Sequence, residues 1–280
     1  MLDLILDGVI DTLKLIPYLC VTFIILELLE HKMNKKNEKI LTKSKKIGPV
    51  IGGFLGGLPQ CGFSAMASNL FSSKVITTGT LIAIFLSTSD EMLPIMISKK
   101  VDPCILLRIL GFKILVGIII GSMIDIVFQQ KEEKSIKEIN HLCEEEHCDC
   151  NNHGIIYSSI IHTLKISLFI LIVNIFLNIL ISKIGEDNLS NILLNKNIWT
   201  YFFASLIGLI PNCASSVILT ELYLQKMITI GNLLAGLLTG SGIGLLVLFK
   251  TNKNLKENIK ILSIIYLIGV IIGIIIDTIL

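Results

Sequence analysis

The chain alternates between long apolar runs and short polar connections along its whole length. A run of about 20 apolar residues is long enough for a helix to cross the roughly 30 Å of hydrocarbon in a bilayer. Such runs cover residues 5–29, 48–72, 75–98, 104–128, 155–183, 198–224, 227–249 and 259–280. The pattern predicts an all-α polytopic membrane protein.

The second half of the chain repeats the first half at a constant offset of 152 residues. Identical residues occupy both positions of the pairs Gly56/Gly208, Pro59/Pro211, Cys61/Cys213, Ser64/Ser216, Lys74/Lys226, Thr77/Thr229, Gly79/Gly231, Ser89/Ser241, Gly117/Gly269, Gly121/Gly273 and Asp125/Asp277. Internal duplication of this kind is a recurring plan of secondary transporters. We therefore predict a first transmembrane repeat at 1–128, a polar linker at 129–154 and a second transmembrane repeat at 155–280.

The relative orientation of the repeats depends on runs 48–72 and 198–224. As continuous helices they give eight spans and two parallel repeats. If Pro59 and Pro211 turn them back at the membrane midplane, each run is a re-entrant hairpin. Each repeat then crosses three times and the repeats are inverted. Hairpin arms of about 11 residues reach about 16 Å, which is the midplane.

Counts of lysine and arginine on the two sides do not separate these arrangements. Loop 31–47 contains seven lysines, however, and the equivalent loop 184–197 contains fewer. Inversion also places linker 129–154 in the reducing cytoplasm, where clustered thiols persist. These two observations favour inverted repeats.

Glycines at four-residue spacing, such as Gly117 and Gly121, recur in several runs. Helices in lipid associate without a hydrophobic drive, and small residues let their backbones approach closely. We interpret these stripes as helix-packing positions.

Composition supports a multi-pass protein of the cell membrane, with a bacterial cytoplasmic membrane as the expected location. The chain is 52% hydrophobic and only 16% charged, with a mean hydropathy of +0.78, whereas soluble domains are about a quarter charged. The basic stretch 32–46 lies beside membrane spans, so we interpret it as an orientation signal or a contact with anionic lipid rather than a nucleic-acid site.

Two stretches, LPQCGFS at 58–64 and IPNCASS at 210–216, place a proline and polar side chains inside apolar runs. Broken helices near the midplane of duplicated transporters offer carbonyls and helix ends to substrates, whereas a proline kink with polar neighbours is the purely structural alternative. Two copies in register favour one pseudo-symmetric substrate site. Its predicted members are Gln60, Cys61, Ser64, Asn212, Cys213 and Ser216.

Acidic residues also lie within the apolar runs. Asp90 and Glu91 fall inside run 75–98, and ionisable groups at membrane depth commonly mark ion or proton pathways. The alternative is a water-exposed bend before Pro94. The equivalent positions in the second repeat are neutral, but that repeat carries Glu221, which we include in the candidate site.

Asp125 and Asp277 lie near the ends of their runs. We expect both carboxylates to be interfacial.

The linker contains the segment HLCEEEHCDCNNH at 141–153. Its thiols and imidazoles suit transition metals such as zinc or copper(I), and its carboxylates suit harder ions. The spacing matches no zinc-finger pattern, so we predict a flexible capture or sensing segment, with a solvated acidic linker as the alternative. The predicted ligands are His141, Cys143, His147, Cys148, Cys150 and His153.

The stretches GGLPQCGFSAMASNLF, GLIPNCASSVILTELYL and TTGTLIAIFLSTSDEMLPIMIS together resemble the ten-transmembrane heavy-metal exporter family of the arsenic-permease type. Its members are often called manganese transporters. The resemblance implies metal efflux, with its proline–amide–cysteine motifs at 59–61 and 211–213 and its acidic segment at Asp90 and Glu91. Ten segments agree with eight runs if the arms of each hairpin are counted separately.

We predict a secondary transporter that exports a divalent metal ion, with manganese ahead of softer metals and no permanently bound cofactor. The chain has no G-x-x-x-x-G-K-[ST] motif, so energy is expected from an ion gradient, with H⁺ as the coupling ion. The alternatives are an intramembrane thiol enzyme that uses Cys61 and Cys213 as a redox pair, or a passive channel or scaffold.

Overall fold

The computed structural model describes residues 47–57, 61–89, 92–132, 198–211 and 213–279, with scattered positions between 9 and 24 and between 160 and 175. At 61, 128–132 and 213–214 it describes the backbone alone. Helix is the regular secondary structure of these residues. The helices are α1 (Gly48–Gly56), α2 (Cys61–Ser72), α3 (Thr78–Ser87), α4 (Met92–Ser98), α5 (Pro103–Glu132), α6 (Trp199–Gly208), α7 (Cys213–Leu224), α8 (Ile230–Thr239), α9 (Gly244–Thr251) and α10 (Leu255–Ile279).

Four stretches of the described chain are long and apolar enough to cross a membrane: Thr78–Ser98, Pro103–Val127, Ile230–Thr251 and Leu255–Ile279. They correspond to four of the predicted runs and confirm a polytopic all-α membrane protein. Predicted runs 48–72 and 198–224 are each divided into two helices, as their prolines predicted. Runs 5–29 and 155–183 and linker 129–154 fall largely outside the described residues.

Helix boundaries repeat at the offset found in the sequence. Helices α2 and α7 begin and end 152 residues apart, and so do α3 and α8. Even unusual backbone conformations recur, because Lys74 and Lys226 have φ of 58° and 59° in the equivalent turns. The internal duplication is therefore confirmed at the level of local geometry.

The first and third spans are broken near their middles. The sequence analysis gave a bend before Pro94 only as an alternative and predicted no break in run 227–249. Helix α3 ends at Ser87 and α4 begins at Met92, and α8 ends at Thr239 and α9 begins at Gly244. Thr88, the C-cap of α3, has left the helical conformation at ψ 128°. In the second repeat Gly242 adopts φ 53°, a left-handed conformation that glycine accepts without a steric penalty. Apolar residues flank both breaks, so hydropathy alone reads each span as continuous.

Aspartates from the long helices cap the first halves of the broken spans. Asp125 accepts hydrogen bonds from the Gly79 amide at 2.8 Å and from Thr77 Oγ1 at 2.6 Å. Asp277 accepts from the Gly231 amide at 2.9 Å and from the Thr229 hydroxyl. A carboxylate at a helix N-terminus satisfies unpaired amides and complements the positive end of the dipole. Asp125 lies seven residues before the end of α5 and Asp277 two residues before the end of α10, and both are half-buried caps, while their interfacial location stays a prediction.

Glycine contacts hold the same pairs of helices together. A Cβ atom at Gly117 of α5 would lie 2.7 Å from the Ala83 carbonyl oxygen of α3, and one at Gly269 of α10 would lie 2.7 Å from the Ala235 carbonyl of α8. Such distances leave no room for a side chain. The predicted packing role of these glycine stripes is confirmed.

Helices α1 and α2 fold back on each other as a hairpin. Gly48 at the start of α1 lies against Thr80 near the start of α3, and Gly56 at its end lies against Ser87. Helix α1 therefore runs parallel to α3. Helix α2 returns in the opposite direction, because it ends at Ser72, six residues before α3 begins.

Each repeat also packs one hairpin arm on the other repeat. The chief partner of α2 is α9, and Ser72 hydrogen-bonds to Thr251 at 2.7 Å where these two helices end. The equivalent arm α7 packs on α4, with Ile218 and Leu222 in one apolar cluster with Met92 and Met96. This exchange joins the repeats into one bundle.

We expect Gly117→Ala to lower the thermal stability of the detergent-purified protein, because its methyl group meets a backbone carbonyl that cannot rotate away. Overpacking of this kind costs about 1–3 kcal/mol. The matched control is Gly111→Ala on the same helix, where an added Cβ has nothing within 4 Å. That control should be neutral or stabilising by about 0.5–1 kcal/mol. Equal melting temperatures for the two variants would contradict the close α3–α5 contact.

Candidate functional site

The described residues that flank four interruptions of helix lie close together in the interior. Two separate the arms of the hairpins, at 57–60 and 209–212, and two divide the broken spans, at 88–91 and 240–243. In the first repeat a hydrogen bond joins the hairpin to the broken span. The buried Ser89 hydroxyl, after the end of α3, donates to the Gly57 carbonyl, after the end of α1, at 2.9 Å. The described flanks of LPQCGFS and STSDEM are thus in direct contact.

The second repeat makes a related but different connection. Thr239 Oγ1, at the end of α8, donates to the Ser205 carbonyl of α6 at 2.9 Å. Ser241 is the counterpart of Ser89 and is fully buried, but its hydroxyl has no hydrogen-bond partner in the described structure. The bond that Ser89 makes in the first repeat thus has no counterpart at Ser241, and the second hairpin is attached through Thr239 and through Ser205, which donates to the Ala235 carbonyl at 3.3 Å.

Contacts between repeats bring the two broken spans together. Ser68 Oγ of α2 donates to the Gly244 carbonyl at the start of α9, at 2.7 Å. Ser64 lies against Gly244 as well, because a Cβ atom there would be 2.8 Å from the Ser64 Cβ. On the other side, the Lys113 ammonium donates to the Thr88 carbonyl and, at 2.9 Å, to the Leu237 carbonyl.

The electrostatics of this interior follow from the helix ends. Helices α3 and α8 end here, and the carbonyls of a last helical turn lack intrahelical partners and carry partial negative charge. Helices α4 and α9 begin here, so amides with partial positive charge lie close by. In transporters with broken helices, the carbonyls and amides at these helix ends supply polar ligands near the bilayer midplane, where the surrounding side chains are apolar. The arrangement places polar backbone groups of both signs inside an otherwise apolar bundle.

The structure brings some predicted site residues together and leaves others apart. Ser64 is fully buried beside the α8–α9 break, and Ser216 occupies the equivalent half-buried position in the first turn of α7. Cys61 and Cys213 are the first residues of α2 and α7, with only their backbones described. Gln60, Asp90, Glu91 and Asn212 lie outside the described residues.

Glu221 lies eight residues beyond the start of α7, about 12 Å along the helix axis. Its carboxylate is 3.8 Å from Lys99 Nζ, in a pair that is about half exposed. The structure does not bring it to the helix breaks.

The predicted metal segment at 141–153 also lies outside the described residues. Within the residues that are described, no group of three or more histidine, cysteine or acidic residues is placed to hold a metal ion. The linker ligands His141, Cys143, His147, Cys148, Cys150 and His153 stay predictions.

Sequence reasoning missed Lys113, Ser89 and Ser241 as interior residues. Lys113 could have been identified from the sequence, because a charged residue in the middle of an apolar span commonly indicates a functional position. The two serines were visible as an aligned pair, but nothing in the sequence indicates that one is bonded and the other is not.

Comparison with known families adds an independent finding. A family model whose description reads "Putative, 10TM heavy-metal exporter" matches residues 2–185 and 155–280. The two overlapping matches together span nearly the whole chain, with one repeat in each. No curated protein and no solved structure matches it.

We expect Ser89→Ala to destabilise the protein by about 1–3 kcal/mol, because it leaves the buried Gly57 carbonyl without a donor. The equivalent change Ser241→Ala removes no hydrogen bond and should be neutral or stabilising in metal-free buffer. Thermal unfolding of both purified variants measures the difference. A loss of stability on Ser241→Ala as large as that on Ser89→Ala would show that the two serines are bonded alike.

Proposed function

Since the chain belongs to the ten-transmembrane heavy-metal exporter family, we propose that it is a gradient-driven secondary transporter that expels a divalent metal ion, with manganese the favoured substrate. The observation that carries this proposal is the break at 88–91. It interrupts a 21-residue apolar span, Thr78–Ser98, and its sequence includes Asp90 and Glu91. Two acids between two half-helices are what a cation pathway requires at membrane depth.

The proposed ligands are mostly oxygens. Asp90 and Glu91 supply carboxylates, Gln60 and Asn212 supply amide carbonyls, and the buried Ser241 hydroxyl has an unused lone pair in the second break. Oxygen ligands suit hard ions such as manganese. Thiolate ligands from Cys61 and Cys213 would instead favour softer metals such as zinc or cadmium. Replacing these cysteines therefore distinguishes a hard substrate from a soft one in the experiment below.

The acids also have a favourable setting for charge. They immediately precede α4, which begins at Met92, and a helix N-terminus stabilises nearby negative charge. The equivalent residues are Gly242 and Ile243, so one repeat supplies the charge and the other supplies neutral oxygens. We assign proton coupling to Asp90 or Glu91, because a carboxyl that exchanges a metal for a proton gives antiport without a nucleotide.

We further propose that the repeats are inverted across the membrane and that the hairpins are re-entrant. At one end of the bundle, Lys74, which precedes α3, pairs with Glu257 of α10 at 3.5 Å, and α2 and α9 end side by side. At the other end, Lys99, which follows α4, pairs with Glu221 near the end of α7. These contacts support opposite directions for α3–α4 and α8–α9.

Inversion explains how access could alternate. Two similar halves with opposite orientation can exchange conformations, so that the central site opens to each side in turn. The metal segment at 141–153 would then face the cytoplasm and deliver metal to the inward-open state.

Cells that express the wild type should contain less manganese and survive higher manganese concentrations than cells with an empty vector. The double variant Asp90→Asn/Glu91→Gln should lose both effects, because it removes two carboxylate ligands. The control Glu257→Gln changes an acid outside the breaks and should retain export. Cellular manganese is measured by mass spectrometry, with membrane levels of each variant compared by immunoblot.

The double variant Cys61→Ser/Cys213→Ser identifies the substrate class in the same assay. Manganese export that survives this change supports an oxygen site. A response restricted to zinc, cadmium or arsenic that only the cysteine variant abolishes would replace manganese with a soft substrate. No response of any metal would refute export and favour the thiol-enzyme or scaffold alternatives.

Inversion predicts that equivalent turns of the two repeats face opposite sides. Single cysteines at Ser73→Cys and Gln225→Cys, which lie 152 residues apart, are introduced into a variant without the seven native cysteines. An impermeant maleimide should label one position from outside intact cells and the other only after permeabilisation. Labelling of both from the same side would establish parallel repeats.

A further inference from the structure

Lys113 is a buried charge in the middle of an apolar helix. It lies eleven residues into α5, within the span Pro103–Val127, and its side chain is fully buried. Among the described residues it is the only charged side chain in the buried interior. Bringing an ammonium group to this depth is costly unless fixed acceptors surround it.

Two of its acceptors lie at the ends of the two broken spans. The ammonium donates to the carbonyl of Thr88, which caps α3, and to the carbonyl of Leu237 in the last turn of α8. Carbonyls of a last turn have no intrahelical amide to accept from, and the helix dipole makes them more negative. One lysine thus satisfies one open carbonyl from each repeat.

Ends of half-helices with unwound carbonyls are the positions where transporters of this general plan coordinate Na⁺ or H⁺. Two such ends converge here, and a covalently attached cation already lies between them. The equivalent position in the second repeat is Ile265, which is also fully buried. A second ammonium there would repel the first, so a single lysine accounts for the asymmetry.

We propose that Lys113 is a tethered cation that occupies the monovalent-ion site formed by the ends of α3 and α8, so that metal transport requires no Na⁺ or K⁺. It is also a positioning residue, because the Thr88 carbonyl that it holds precedes Asp90 by two residues. This inference rests on the proposed function and extends it by excluding a class of coupling ion.

The test uses the full chain in proteoliposomes, with manganese flux measured in Na⁺, K⁺ or N-methylglucamine buffers. Wild-type flux should agree within about twofold in all three. Lys113→Ala should lose at least about tenfold in N-methylglucamine, as expected for a lost charged hydrogen-bond donor. Na⁺, K⁺ or methylammonium, which fit the vacated space, should restore most of that loss.

Ile265→Ala is the matched control, because it removes a fully buried side chain of similar volume from the equivalent position of α10. Any loss of flux in this variant should be the same in all cations. Lys113→Met keeps most of the buried volume without the charge. It should be folded, slow, and insensitive to added cations, because its side chain fills the space that a free ion would need.

Ion binding is read separately from transport by thermal unfolding. Na⁺, K⁺ or methylammonium should raise the melting temperature of Lys113→Ala by about 3 °C, and should leave the wild type unchanged. Wild-type protein that moves no metal in any buffer refutes the proposed function, while this measurement still decides the role of Lys113.

Three results would overturn the tethered cation. They are a wild type that requires Na⁺ or K⁺, a Lys113→Met variant with wild-type flux in N-methylglucamine, and a Lys113→Ala variant that no cation restores or stabilises. If Lys113→Ala does not fold, the wild-type and Lys113→Met measurements decide.

Discussion

The structure depends on one constraint, which is that every helix ended inside an apolar bundle must find partners for its open backbone groups. Water cannot supply them at that depth, so protein atoms do. Ser89 supplies a donor to the first hairpin, Thr239 to the second, and Lys113 to the ends of both α3 and α8. The polar interior follows from satisfying the backbone groups that the broken helices leave open.

Some features of this bundle recur in both repeats, and others occur in one repeat alone. Helix lengths, aspartate caps and glycine contacts recur between the repeats, and they build the same scaffold twice. Three charged residues within the apolar spans do not recur, because Asp90, Glu91 and Lys113 correspond to the neutral residues Gly242, Ile243 and Ile265. Repetition therefore gives two similar scaffolds, and substitutions at a few positions make the two repeats chemically different.

Much of this fold could be predicted from sequence, because its strongest signals are local. Apolar length reveals Thr78–Ser98 and its fellow spans, and Pro59 and Pro211 mark the hairpins through their missing amide donors. The break between α3 and α4 could not be found in this way, since Thr88 and Ser89 hydrogen-bond as readily in a helix as outside one. The caps of Asp125 and Asp277 depend on which helix lies opposite, and hydropathy carries no such information.

The exchange of hairpin arms has a mechanical consequence. Helix α2 packs on α9 of the other repeat, whereas α3 is fastened to its own α5 by a cap and by glycines. The first half of each broken span, α3 or α8, is thus fixed to the long helix of its own repeat. The second half, α4 or α9, packs on a hairpin arm of the other repeat. A displacement of α9 or α4 therefore acts directly on a hairpin arm of the opposite repeat, so the two repeats are mechanically coupled through these contacts.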